Sequence, residues 1–150
     1  MSLSTVQVSH YNTLSACSLF HSPGQIKEGD IESMAPNHFD DLHWLNLRAP
    51  FMLTRFFKDL LIEAKGCIVN VSCEKGSRPD PMSLGYCMVK AGLEMLTKST
   101  AIEFAYHDVR VNAVAPGFCD TNLYSSHAGS SEYTKIKQLA STNVPLKRLK

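Results

Sequence analysis

The stretch "CIVNVSCEKGSRPDPMSLGYCMVK", residues 67–90, decides how the rest of the chain is read. It opens on "CIVNVS" (67–72), a short β-rich run of the kind that fills a parallel sheet. Gly66 ends whatever precedes it, and Gly76, Pro79 and Pro81 make a loop after it. Ser83 then offers an N-cap for a helix over about 84–106. On that helix Tyr86 and Lys90 are four positions apart, which stacks a phenol and an ammonium on one face just past a buried strand. Spacing of this kind is common on solvated helix faces, so the pair gains meaning only from its surroundings.

Outward from this stretch the chain alternates. Before it, Phe39, Leu42, Leu45, Phe51, Leu53, Phe56, Leu60 and Leu61 form a broad apolar stripe, predicting a helix over 39–65 that Pro50 interrupts. Earlier still, "HSPGQIKEGD" (21–30) is a loop, Ala16–Phe20 a short strand, and residues 1–13 a polar lead-in. Afterwards "VRVNAV" (109–114) is the next strand, ended by Pro116–Gly117. The loop 119–135 has the small and polar character of a mobile lid, a last helix is expected over 131–140, and the tail "STNVPLKRLK" is extended. Strand, helix, strand, helix, strand, helix is the order of an α/β domain with a parallel sheet and right-handed crossovers. Ligands of such sheets bind beyond the carboxyl ends of the strands, where "HSPG", Ser72–Cys73 and Pro116–Gly117 fall.

Composition narrows the function classes. One domain with a real core fits in 150 residues. The apolar share of 44% and the charged share of 19% are those of a soluble globular protein. A net charge of +1 with scattered basic residues argues against nucleic acid as a partner. No run approaches the roughly 18 apolar residues of a membrane span. The N-terminus has no cationic segment followed by a continuous apolar one, so it matches no secretory signal. Five cysteines without a C-x-x-C pair predict neither a disulfide framework nor a zinc site, and the expected compartment is the reducing cytosol.

A free phenol, with a pKa near ~10, is a poor base at neutral pH, and a nearby ammonium favours its phenolate. Tyr86 and Lys90 therefore suit proton exchange with an alcohol or carbonyl oxygen. Their context sharpens this. "NVSC" with "YCMVK", followed by "VRVNAVAPGFCDT", resembles the short-chain dehydrogenase/reductase family over roughly residues 14–148. That family pairs Y-x-x-x-K with a serine thirteen positions before the tyrosine, an asparagine forty before it, and a P-G turn thirty-odd after it. Here those positions hold Tyr86 and Lys90, Cys73, Asn46, and Pro116–Gly117.

The resemblance implies a partial Rossmann-like, doubly wound parallel sheet and hydride transfer between NAD or NADP and a small alcohol or carbonyl substrate. Tyr86 would be the general acid/base. Lys90 would assist it and hold the nicotinamide ribose, and Asn46 would hold a water through its backbone carbonyl. Pro50 bears on that role, because it has no N–H to give the carbonyl of Asn46 four residues back. Pro116, Gly117 and Thr121 would lie along the nicotinamide and pyrophosphate, with Cys119 near the carboxamide. Gly24 would remain from the family's N-N-A-G segment.

Three departures weigh on activity. Cys73 replaces the family's substrate-orienting serine and is a weaker donor, with Ser72 one residue earlier. "HSPG" replaces N-N-A-G. No T-G-x-x-x-G-x-G occurs, so the first βαβ unit and its pyrophosphate turn are expected to be missing, as is the final strand. The chain thus reads as a single incomplete domain over 1–150, truncated at both ends. An inactive relative acting through protein association, or a fragment of a longer enzyme, is the alternative. The helices near 39–65 and 84–106 are apolar on more than one side, and in the family the corresponding helices join subunits. A homo-oligomer is therefore expected, with Phe56, Leu60, Met88 and Met95 near the contact and the missing N-terminal strands exposing a further sheet edge.

Overall fold

A computed structural model of the chain describes residues 17–22 and 24–119, the backbone of Thr5–His10, and the isolated positions 123, 134, 135, 137, 138, 141 and 142. Strands β1 (Thr5–His10), β2 (Cys17–Ser22), β3 (Cys67–Val71) and β4 (Arg110–Val114) form one sheet in the order β1-β2-β3-β4. β2, β3 and β4 are parallel, with Leu19 beside Ile68 and Ile68 beside Val111. The helices are α1 (Pro36–His43), α2 (Ala49–Phe56), α3 (Lys58–Glu63) and α4 (Leu84–Phe104). This is the α/β fold expected, with a three-stranded parallel sheet at its centre.

The N-terminal reading needs correction. Residues 5–10 lie inside the stretch read as a polar lead-in, yet they form β1, paired antiparallel to β2 with Val8 opposite Leu19. The outer edge of β2 is therefore not open. Its backbone groups find partners in β1, because an unpaired strand edge leaves a row of donors and acceptors unsatisfied.

Period-two alternation places the core. Cys17, Leu19, Ile68 and Val111 face the helices and pack with Leu61 of α3, Phe104 of α4 and Val109. Gly66 lets α3 run this close to the sheet, since a Cβ there would stand 2.1 Å from the carbonyl oxygen of Cys17. Both helices press on the same face. Of the two helical layers of a doubly wound sheet, the described residues supply this one. On the other face Phe20 and Val114 are exposed, and Val69 and Val71 are half-buried.

The helix expected over 39–65 is three helices and one irregular turn. Trp44–Arg48 is π-helical, and the N–H of Ala49 reaches back five residues to the carbonyl of Trp44. Pro50 cannot donate to Asn46, so the ladder widens by one residue there. A second break falls at Phe57, whose ψ of 5° separates α2 from α3. Ser83 stands at the N-cap position of α4 but does not cap it: its hydroxyl accepts from Lys75 at 2.9 Å and donates to Asp80 at 3.2 Å. The stripe on α4 is as expected, with Val89 and Leu93 buried and Met88, Met95 and Ile102 exposed. The expected helix over 131–140, the extended tail and most of the lid-like loop lie outside the described residues.

Candidate active site

The carboxyl ends of β3 and β4 run together. Ser72 donates its N–H to the carbonyl of Val114, and Glu74 donates its own to Pro116. These bonds set Cys73 beside the Pro116–Gly117 turn. Past the loop the chain returns as α4, whose first two turns lean on the same strand ends. Cys73, Tyr86 and Val89 are buried together with Ile26 and Leu42.

Within this cluster the phenol and the ammonium meet as the four-residue spacing requires. The Nζ of Lys90 stands 5.5 Å from the centre of the Tyr86 ring and donates to the carbonyl of Val71 at 2.9 Å. Lys90 is 1% exposed. Burial pushes its ammonium from the ordinary 10.5 down to about 8, and the neighbouring Cys73 pulls the other way. The pair thus places a buried basic group of lowered pKa beside a buried phenol.

Asn46 is fully buried in the π-helical turn. Its Nδ2 donates to the carbonyls of Gln25 at 3.1 Å and Leu42 at 3.0 Å, while Oδ1 has no partner. The side chain so ties α1 to the loop after β2, next to Gly24. Gly117 is open: the nearest atoms to a Cβ built there belong to the Glu74 carboxylate, 3.7–3.8 Å away. Cys119 is a half-buried free thiol, and among the described residues a Cβ at Gly24 would meet Leu123, at 3.4 Å. Thr121 lies outside the described residues.

Two residues acquire roles that linear reading missed. The Ser72 hydroxyl donates to Oε1 of Glu94 at 3.1 Å and lies 3.5 Å from the carbonyl of Lys90. It is turned toward α4 and bonded to Glu94. Glu94 continues the row of Tyr86 and Lys90 at the next four-residue step, a signal the sequence did carry. His21 is the other. It is buried at the end of β2 with its Nδ1 2.8 Å from Oδ1 of Asn70, and nothing in the sequence tells such a histidine from a loop residue.

Comparison with known proteins agrees with the fold. The family model described as enoyl-(acyl carrier protein) reductase, a short-chain dehydrogenase/reductase model, matches residues 8–150. The chain belongs to the short-chain dehydrogenase/reductase family. Within that family it is 33% identical, over 135 residues, to an uncharacterized oxidoreductase, YxbG, of Bacillus subtilis, covering 87% of this chain and 50% of the relative. It is 38% identical over 91 residues to the 3-oxoacyl-[acyl-carrier-protein] reductase FabG of Rickettsia bellii, covering 60% of this chain and 38% of that one. The crystal structure of sorbitol-6-phosphate 2-dehydrogenase SrlD from Erwinia amylovora superposes with a TM-score of 0.81 at 25% identity, covering 89% of this chain and 56% of that one. This short-chain dehydrogenase/reductase chain spans about half the length of the curated relatives it matches. The relatives it matches include proteins named as an oxidoreductase and a dehydrogenase. Among the described residues no helix is long and apolar enough to cross a membrane.

Proposed function

We propose that the chain carries the proton-transfer half of an NAD- or NADP-dependent oxidoreductase that interconverts a small alcohol and its carbonyl. The observation that carries this is the burial of Tyr86 and Lys90 together on one face of α4, against Cys73, at the carboxyl ends of the parallel strands. A nicotinamide cofactor supplies the hydride that passes to or from the substrate carbon. Tyr86 donates a proton to the carbonyl oxygen in reduction and takes one from the hydroxyl in oxidation. Lys90 favours the phenolate and binds the ribose, and Cys73 orients the substrate oxygen as a weak donor. The exposed Gly117 suits close contact with the nicotinamide, and the family resemblance assigns Pro116, Cys119 and Thr121 to the same end of the cofactor. These residues fit the nicotinamide end of a cofactor. A glycine-rich turn for its pyrophosphate is absent from the sequence.

The same reading covers assembly and place. Phe56, Leu60, Met88 and Met95 are 78%, 42%, 53% and 59% exposed, which supports a homo-oligomer joined through α2, α3 and α4. All five cysteines are free thiols, which supports the cytosol.

Titration of NADH and NADPH, followed by their fluorescence, tests the cofactor assignment. Micromolar binding is expected. Lys90→Met should weaken it at least about tenfold, the worth of one hydrogen bond to a charged group. No binding, or equal binding by wild type and variant, would overturn the assignment.

A further inference from the structure

Behind the catalytic face of α4 lies a chain of buried polar groups that the proton-transfer site does not use. Nδ1 of His21 is 2.8 Å from Oδ1 of Asn70, Nδ2 of Asn70 donates to Oγ1 of Thr97 at 2.9 Å, and Thr97 donates to the carbonyl of Leu93 at 2.8 Å. All three side chains are at least nine-tenths buried. The last bond orients the whole series. Because the single hydroxyl proton of Thr97 goes to Leu93, Thr97 can only accept from Asn70, which turns Oδ1 of Asn70 toward His21. Nδ1 of His21 therefore carries the proton and Nε2 is a bare acceptor. That atom is buried and has no partner among the described residues.

We propose that His21 is a proton-sensitive latch: neutral, it docks α4 on β2 and β3 through Asn70 and Thr97, and protonation at Nε2 releases that seam. A second N–H would meet no acceptor among the described residues, in a buried place that solvates a charge poorly. Among the described residues, the titratable groups near the seam do not compensate. On β2 the same face carries Cys17. β3 and β4 offer Ile68, Asn70 and Val111, and α4 brings Lys90 and Glu94, engaged with Val71 and Ser72. Burial holds the basicity of His21 below the usual histidine range, the bond to Asn70 offsets part of this, and no ionised side chain contributes. Asn70 directly precedes Val71, the acceptor of Lys90, and Leu93 begins the turn after Lys90. Release of the latch thus loosens the wall on which the candidate site is built.

The sign follows from linkage. An unfolded histidine takes up its proton near pH ~6.5, whereas the folded one resists, so stability is full above that pH and is lost as pH falls toward the folded pKa. The unfolding equilibrium constant should rise by up to about tenfold per pH unit in that window. Urea denaturation of wild type and His21→Asn between pH 5 and 8 should show this component in wild type only. Protection factors of the Leu93–Thr97 amides, with exchange corrected for its intrinsic slowing toward acid, should fall below neutrality in wild type and not in the variant. In the wild-type chain, nitrogen-resolved NMR of the histidine rings needs no variant. It should find His21 as the Nδ1–H tautomer, untitrated until the seam opens. Reversible titration of folded His21 near 6.5 with unchanged exchange in α4, or the same pH profile in His21→Asn, would overturn the proposal.

Discussion

Lys90→Met is the perturbation whose magnitude the structure sets most directly. Nζ sits in a pocket that lowers its pKa from 10.5 to about 8, mainly by burial. A drop of this size corresponds to roughly 3 kcal/mol of cost for keeping the ammonium in the folded chain at neutral pH. Below about pH 8 the folded and unfolded states both hold the proton and the cost is constant. Between about 8 and 10.5 the unfolded chain holds more proton than the folded one, so stability rises with pH and then levels. Methionine removes the charge but also the bond to the carbonyl of Val71, which offsets about 1 kcal/mol. The variant should therefore be more stable than wild type by roughly 2 kcal/mol at pH 7, and the advantage should vanish or reverse near pH 10.5. Urea denaturation under reducing conditions at pH 7, 8, 9 and 10.5 measures the difference directly, and titrations common to both chains cancel in it. A variant less stable at pH 7, or a difference that does not change with pH, would refute the reasoning. A gain in stability would identify Lys90 as a residue kept for chemistry, since packing alone favours its replacement.

Other substitutions separate the roles assigned to neighbouring groups. Tyr86→Phe should lower reductase turnover on small ketones or aldehydes by about a hundredfold or more while leaving the urea midpoint near wild type; comparable turnover would remove Tyr86 from the chemistry. Cys73→Ser should raise turnover by up to about a hundredfold by restoring a stronger donor. Ser72→Ala should leave turnover unchanged and cost about 1 kcal/mol of stability, because its hydroxyl serves Glu94; the opposite pattern would make Ser72 the orienting group. Met95→Asp should convert the proposed homo-oligomer to a folded monomer by light scattering, since Met95 is exposed in the single chain; an unchanged mass, or a monomeric wild type, would exclude this face as the contact.

Much of this was legible along the chain, because the signals were local or were fixed spacings. The four-position step from Tyr86 to Lys90 must put both on one helix face, whatever that helix packs against. The β-branched run 67–71, the 109–114 strand and the apolar stripe of α4 announced themselves through periodicity, as did Pro50 through its missing N–H. Where a polar group finds its partner was not legible. Whether Ser72 turns toward the cleft or toward Glu94, and which tautomer His21 adopts, depend on atoms brought together from β2, β3 and α4 across the fold. The N-terminal strand escaped for a related reason. "TVQVSH" has little apolar content to mark it, and it becomes a strand because β2 offers an edge whose backbone groups need partners. Strand pairing and buried hydrogen bonds are satisfied between distant segments, so only the tertiary structure could decide them.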